Sequence, residues 1–118
     1  MPNDDSRFRF QQLDVYVAAK EIARLLNEAP IAHTELRDQA RRASVSCFLQ
    51  LAEGLPNTGQ GMRRKYFTES NNSLHELVAA VDLARGLGAL PADQAQEIQA
   101  LAIRTRRMLR GLLNSASA

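Results

Sequence analysis

Basic side chains carry most of the chemistry this sequence could do. They fall in three groups: Arg41–Arg42, Arg63–Arg64–Lys65 and Arg104–Arg106–Arg107–Arg110. Thirteen of the fifteen basic residues are arginine, so the positive charge is fork-shaped and suited to phosphate oxygens. One reading makes these groups solvated helix faces paired with Asp and Glu. The other makes them a phosphate-binding surface that grows when copies of the chain assemble. A net charge of +2 is too small to argue for nucleic acid by itself; only clustering could. No base-reading motif is visible, so contacts to RNA or DNA would be directed at backbone and shape. The candidate residues are Arg41, Arg42, Arg63, Arg64, Lys65, Arg104, Arg107 and Arg110.

Other chemistries find less to work with. Cys47 is the single cysteine, which excludes an intrachain disulfide framework and a thiolate-based zinc site. It falls on an apolar helix stripe, where a free cysteine acts as a small hydrophobe. A nucleophilic role would need a histidine beside it and a basic, exposed setting. A di-iron carboxylate site needs Glu-x-x-His on two helices. Neither His33 nor His75 is preceded by Glu three positions earlier, so no metal or other cofactor is expected. Glu69 and Glu76 lie two turns apart on one helix, which is ordinary surface spacing. The Gly59–Gly61 segment lacks the Lys-Ser/Thr of a phosphate loop. The expectation is a protein that is not an enzyme, with Glu53 or Cys47 at an inter-subunit cleft as the weakest alternative.

Four helical segments must position these residues. The first is read over about 10–28, with Val15, Ala18, Ala19, Ile22, Leu25, Leu26 and Ala29 on its apolar stripe. Pro30 ends it, because proline disfavours helical geometry at Ala29. The second is read over about 35–53, with Thr34 as its N-cap. Leu55 to Gly61 reads as a loop, rich in Pro and Gly. The third spans about 62–87 with Phe67, Ser70, Leu74, Leu77, Val78, Val81 and Ala84 aligned, and Gly86 and Gly88 stop it. Pro91 suits the first turn of a fourth, over about 91–113, whose stripe includes Ala95, Ile98, Ala102, Thr105 and Leu109. Phe8, Phe10 and Tyr16 gather aromatic surface at the start of the chain, as a bundle cap or a contact to a neighbour. Nothing alternates with period two, so no strand is expected. Short connections between amphipathic helices imply one all-α domain over 1–118, an antiparallel up-down four-helix bundle.

The second helix organises the rest. At about 100° per residue, Leu36, Ala40, Ala43, Cys47 and Leu51 fall on one stripe. Val45, Phe48, Leu49 and Ala52 fall roughly opposite. A helix on the outside of a bundle needs only one apolar face. Two faces require two things to pack against: the protein's own core, and a partner, most simply another copy. The expected oligomer contact is therefore Val45, Phe48, Leu49 and Ala52.

Length and composition agree with this picture. At 118 residues the chain is one domain by length. It has no Trp and only 5% aromatic residues, so Ala and Leu carry the apolar load, which favours helices. The opening MPNDDSRFRF has no apolar core of a signal peptide, and no apolar run approaches a membrane span. A cytoplasmic protein without membrane contact is expected.

The segment Gln39-x-Arg41-Arg42-Ala43-x-x-Ser46, followed by Leu51-Ala52-Glu53-Gly54, resembles the four-helix-bundle proteins encoded in bacterial intervening sequences of large-subunit ribosomal RNA genes. Phe10-x-x-Leu13-Asp14-Val15-Tyr16 is similar to that family's first helix, and Phe67 with Ser73-Leu74-x-Glu76-Leu77 to its third. Gln50 stands where the family commonly has Asn, and Asn72 where it commonly has Gly. The resemblance implies a homo-oligomeric ring, typically a homopentamer. It extends to the accessory variability determinants of diversity-generating retroelements, which bind a reverse transcriptase and nucleic acid through basic surface. By that resemblance Arg41, Arg42, Arg63, Arg64 and Lys65 are the first candidates, and a reverse transcriptase is a candidate partner. The alternative role is a purely structural protein–protein oligomer without nucleic acid.

Overall fold

The structure is a computed structural model that describes residues 8–117, with side chains described through residue 115. The polar segment expected to be loose over residues 1–7 lies outside them. The described residues form a short 3-10 turn, η1 (Arg9–Gln12), and four helices: α1 (Asp14–Glu28), α2 (Thr34–Gly54), α3 (Gln60–Gly86) and α4 (Ala92–Ser117). They contain no strand. The helices pack in a closed cycle, α1 on α2, α2 on α3, α3 on α4 and α4 on α1, with α2 and α3 the most extensive pair.

The four stripes meet in one core. Val15, Ala19, Ile22 and Leu26 face Ala40, Ala43, Cys47 and Leu51. Phe67, Leu74, Leu77, Val81 and Ala84 join them from α3, and Ala95, Ile98, Ala102 and Leu109 from α4. Thr105 is also buried, its hydroxyl donating to the Leu101 carbonyl at 2.9 Å. Such back-bonding satisfies a polar group inside an apolar face.

The connections follow local chemistry, with three departures from the sequence reading. First, no continuous helix begins at Phe10. The turn Arg9–Gln12 ends in extended Leu13, and α1 starts at Asp14. Six residues of unbroken helix would leave Phe10 and Tyr16 about 120° apart around the axis. The break lets Phe10 meet Tyr16 edge-on at 5.6 Å, and Tyr16 meet Phe48 at 4.8 Å. Phe10 and Tyr16 therefore close over their own core, while Phe8 stacks on Phe10 and stays 73% exposed. Second, His33 rather than Thr34 caps α2: its Nδ1 accepts from the Leu36 N–H at 3.2 Å, and Thr34 is already helical. Third, α3 begins at Gln60, so Gln60 and Gly61 belong to the helix and not the loop.

The end of α3 behaves as its glycines indicate. Gly88 takes φ 72°, the left-handed conformation that ends helices. Its N–H reaches the Arg85 carbonyl at 3.0 Å, and the Ala89 N–H reaches that of Ala84 at 2.8 Å. The Ala89 carbonyl accepts in turn from the Ala32 N–H at 2.8 Å, tying the α1–α2 and α3–α4 connections together.

Small residues let α2 and α3 approach. Ser46 and Ser73 share a hydrogen bond at 2.9 Å, and the Ser70 hydroxyl donates to the Cys47 carbonyl at 2.7 Å. At Gly54 the approach is closest: a Cβ there would lie 2.7 Å from the fully buried Phe67 ring and 3.1 Å from Tyr66. Gly54→Ala is therefore expected to cost about 1–3 kcal/mol, the range for overpacking. Gly111→Ala, on a helix with open space around it, should be neutral or stabilising by up to about 1 kcal/mol. Urea unfolding of the two variants checks the contrast.

Candidate functional site

Two of the candidate arginines have their heads turned inward. Arg41 donates from Nε to the Leu26 carbonyl at 3.1 Å and from Nη2 to that of Asn27 at 3.0 Å. These are carbonyls of the last turn of α1, which have no partner within the helix. Arg63 does the same for α2. Its Nη1 lies 2.9 Å from the Leu55 carbonyl, 3.1 Å from Asn57 and 3.3 Å from Gly54. Its guanidinium also sits over the Phe67 ring at 4.9 Å. A cation at a helix C-terminus complements both the orphan carbonyls and the negative end of the dipole. Sequence reasoning missed this, because a backbone carbonyl on another segment has no residue signature.

The other candidates stay outward. Arg42, Arg64, Lys65, Arg104, Arg107 and Arg110 are all exposed, with Arg42 Nη2 on the neutral Gln39 side chain at 3.2 Å. They do not form one patch. The Ala32–Ala89 tie marks one end of the molecule. Helical rise puts Arg42 about 12 Å from that end and Lys65 about 30 Å from it. The α3 and α4 groups instead share the far half. Arg24 adds nothing to the positive surface, being paired with Glu21 and, at 3.0 Å, with Glu28. The hydrogen bond from Arg24 holds the Glu21 carboxyl below its usual range.

Between α3 and α4 runs a groove of about 480 Å³. Val78, Ala79, Ala102 and Ile103 line its middle. Asp82 and Gln99 lie towards the α3–α4 turn, and His75 and Arg106 away from it. His75 is tethered through Nδ1 to the Asn71 carbonyl at 2.8 Å. By helical spacing Arg64 on α3 and Arg110 on α4 continue the two rims past Arg106, so the groove grows more basic away from the turn.

The second face of α2 divides. Val45 and Leu49 are 50% and 54% exposed, projecting side by side over a shallow hollow lined also by Arg41, Arg42, Ser46 and Gln50. Ala52 is half-buried. Phe48 leaves the stripe: it is half-buried against the core, with its ring on Tyr16. A substitution at Phe48 therefore disturbs the fold itself, and of these four α2 residues Val45 and Leu49 are the exposed ones.

Cys47 is buried, and burial pushes its thiol up from the ordinary value despite the Ser70 hydroxyl 3.5 Å away, which works the other way. A thiol held protonated in an apolar setting is a poor nucleophile. Among the described residues no three or more His, Cys, Asp or Glu side chains gather as metal ligands. No helix among them is long and apolar enough to cross a membrane.

An all-α chain of four helices, small residues along its α2–α3 seam and arginines on helix ends, defines the structural class. The family model described as 23S rRNA-intervening sequence protein matches residues 11–111, and the chain belongs to that family. No curated protein matches it. The matched span covers all of the groove and the α2 stripe.

The two kinds of arginine separate by experiment. Arg41→Ala and Arg63→Ala should each lower stability by about 1–2 kcal/mol, since each removes charged donors from helix-end carbonyls. Arg42→Ala should change it by less than about 0.5 kcal/mol, as for an ordinary surface site. Chemical denaturation gives all three values.

Proposed function

We propose that this protein is a non-enzymatic, self-assembling helical scaffold of the cytoplasm. Its four helices run as an antiparallel up-down bundle. Supporting that topology, Gly54 meets Phe67, Cys47 meets Ser70 and Ser46 meets Ser73, so residue numbers fall on α3 as they rise back along α2. The observation that carries the assembly is the exposure of Val45 and Leu49 on a helix whose opposite side is already buried in its own core. Apolar side chains left side by side in water favour a partner, and a second copy is always at hand. A closed ring, of five copies by resemblance to the family, multiplies every surface the protomer displays.

The surface multiplied in this way is basic. Arg64, Lys65, Arg107 and Arg110 are exposed on the far halves of α3 and α4, and Arg104 adds to them. In a ring they form repeated phosphate-binding positions for RNA or DNA, read by backbone and not by base. A reverse transcriptase is the protein partner this reading assigns, by resemblance to the retroelement accessory proteins. The second reading, an oligomer that binds only protein, is favoured by the committed heads of Arg41 and Arg63, which shrink the cationic surface.

Light scattering tests the assembly. Val45→Asp with Leu49→Asp should reduce the particle to the 13.1 kDa of one chain; an unchanged mass contradicts the proposed contact. Titration with a nonspecific single-stranded RNA tests the ligand. Affinity should fall with salt, and replacing Lys65, Arg107 and Arg110 by Gln should flatten the slope by about 0.7 per lost phosphate contact. No binding at low salt leaves the protein-only oligomer.

A further inference from the structure

We propose that the α2 stripe of one copy docks into the α3–α4 groove of the next, head to tail. This rests on the self-assembly reading above and gives it a specific contact. Arg42, Val45, Leu49 and Glu53 are spaced three, four and four residues apart, so they form one ridge along α2. The ridge reads positive, apolar, apolar, negative. The groove reads the reverse: Asp82 near the turn, then Val78, Ala79 and Ile103, then Arg106. Laid together, Arg42 faces Asp82, Val45 and Leu49 cover Ile103 and its neighbours, and Glu53 faces Arg106.

Each end of that match is without a charged partner among the described residues. Asp82, Glu53 and Arg106 form no ion pair among the described residues, and Arg42 bonds only the neutral Gln39 side chain. Ile103 is 37% exposed at the groove, as an apolar residue awaiting cover would be. The ridge spans about 16 Å and the groove about 10 Å between its charged positions, a difference the long Arg42 and Arg106 side chains bridge. Shape agrees, since the Val45 and Leu49 side chains project half exposed from α2 and the α3–α4 groove is concave. Pairing ridge to ridge would also match charge, but it would leave the groove floor in water.

The two surfaces lie on different sides of one bundle, because α2 packs on α1 and α3 while the groove opens between α3 and α4. A chain therefore cannot satisfy its own groove. A contact between unlike surfaces adds copies in one direction and ends only when the rotation closes a ring. Arg42 accordingly belongs to the contact between copies and not to the nucleic-acid surface.

Complementation separates this arrangement from the others. One variant blocks the ridge, Val45→Asp with Leu49→Asp; a second blocks the groove, Ala79→Glu with Ile103→Glu. All four positions are exposed, and circular dichroism with urea unfolding confirms that each variant is folded. Each alone should have the 13.1 kDa of one chain, and the equimolar mixture should form a pair of twice that mass and no larger species. If the groove variant keeps the wild-type mass while the ridge variant is monomeric, the contact is ridge to ridge and the proposal is overturned. If both keep the wild-type mass, the docking is wrong while self-assembly stands; if the wild type is itself monomeric, both fail. The charges give an independent arm. Arg42→Asp and Asp82→Arg should each shift the wild-type particle towards smaller species, and the double variant should restore its mass; a double variant as dissociated as the singles overturns the pairing.

Discussion

The close seam between α2 and α3 is the constraint on which the rest depends. It exists because small side chains face each other where large ones would hold the helices apart. Ser46 bonds Ser73, Ser70 bonds the backbone of Cys47, and Gly54 lies against one side of the Phe67 ring. Polar groups brought this near must find partners, and the Ser46, Ser70 and Ser73 hydroxyls find them across the seam. With α2 held so closely on α3 and also packed on α1, the orientation of its remaining side is set. Val45 and Leu49 then stand half exposed on the side away from that core.

That arrangement separates two uses of arginine that look alike in sequence. Arg41 and Arg63 close helix ends, the C-termini of α1 and α2, where carbonyls would otherwise lack donors. They stabilise the fold and are spent as ligands. Arg107 and Arg110 cap nothing and stand in water. Exposed and structural arginines thus divide within short runs: Arg41 turns inward and Arg42 outward, one residue apart. The same division applies to the apolar residues of α2, where Phe48 joins the aromatic cap through Tyr16 and Leu49 beside it does not.

Much of this was legible in the residues. Ile22, Leu26, Leu51, Phe67, Leu77 and Leu109 repeat at helical spacing, and all are buried. Pro30 and Gly88 mark helix ends for reasons confined to one or two residues. Illegible features depended on a partner from elsewhere in the chain. Nothing near Phe10 announces that Tyr16 will draw it out of helical register. Thr34 is the better cap by type, yet the ring of His33 occupies the position. The groove has no signature in the sequence, because His75, Asp82 and Arg106 are ordinary surface residues until two helices bring them to one edge.

The proposed role requires a second copy over the apolar surface that Val45 and Leu49 leave exposed. Sedimentation equilibrium of the unaltered chain over a dilution series measures that requirement. A mass that is a whole multiple of 13.1 kDa, persisting into the micromolar range, is the predicted result. A single-chain mass at every concentration, high ones included, would contradict it.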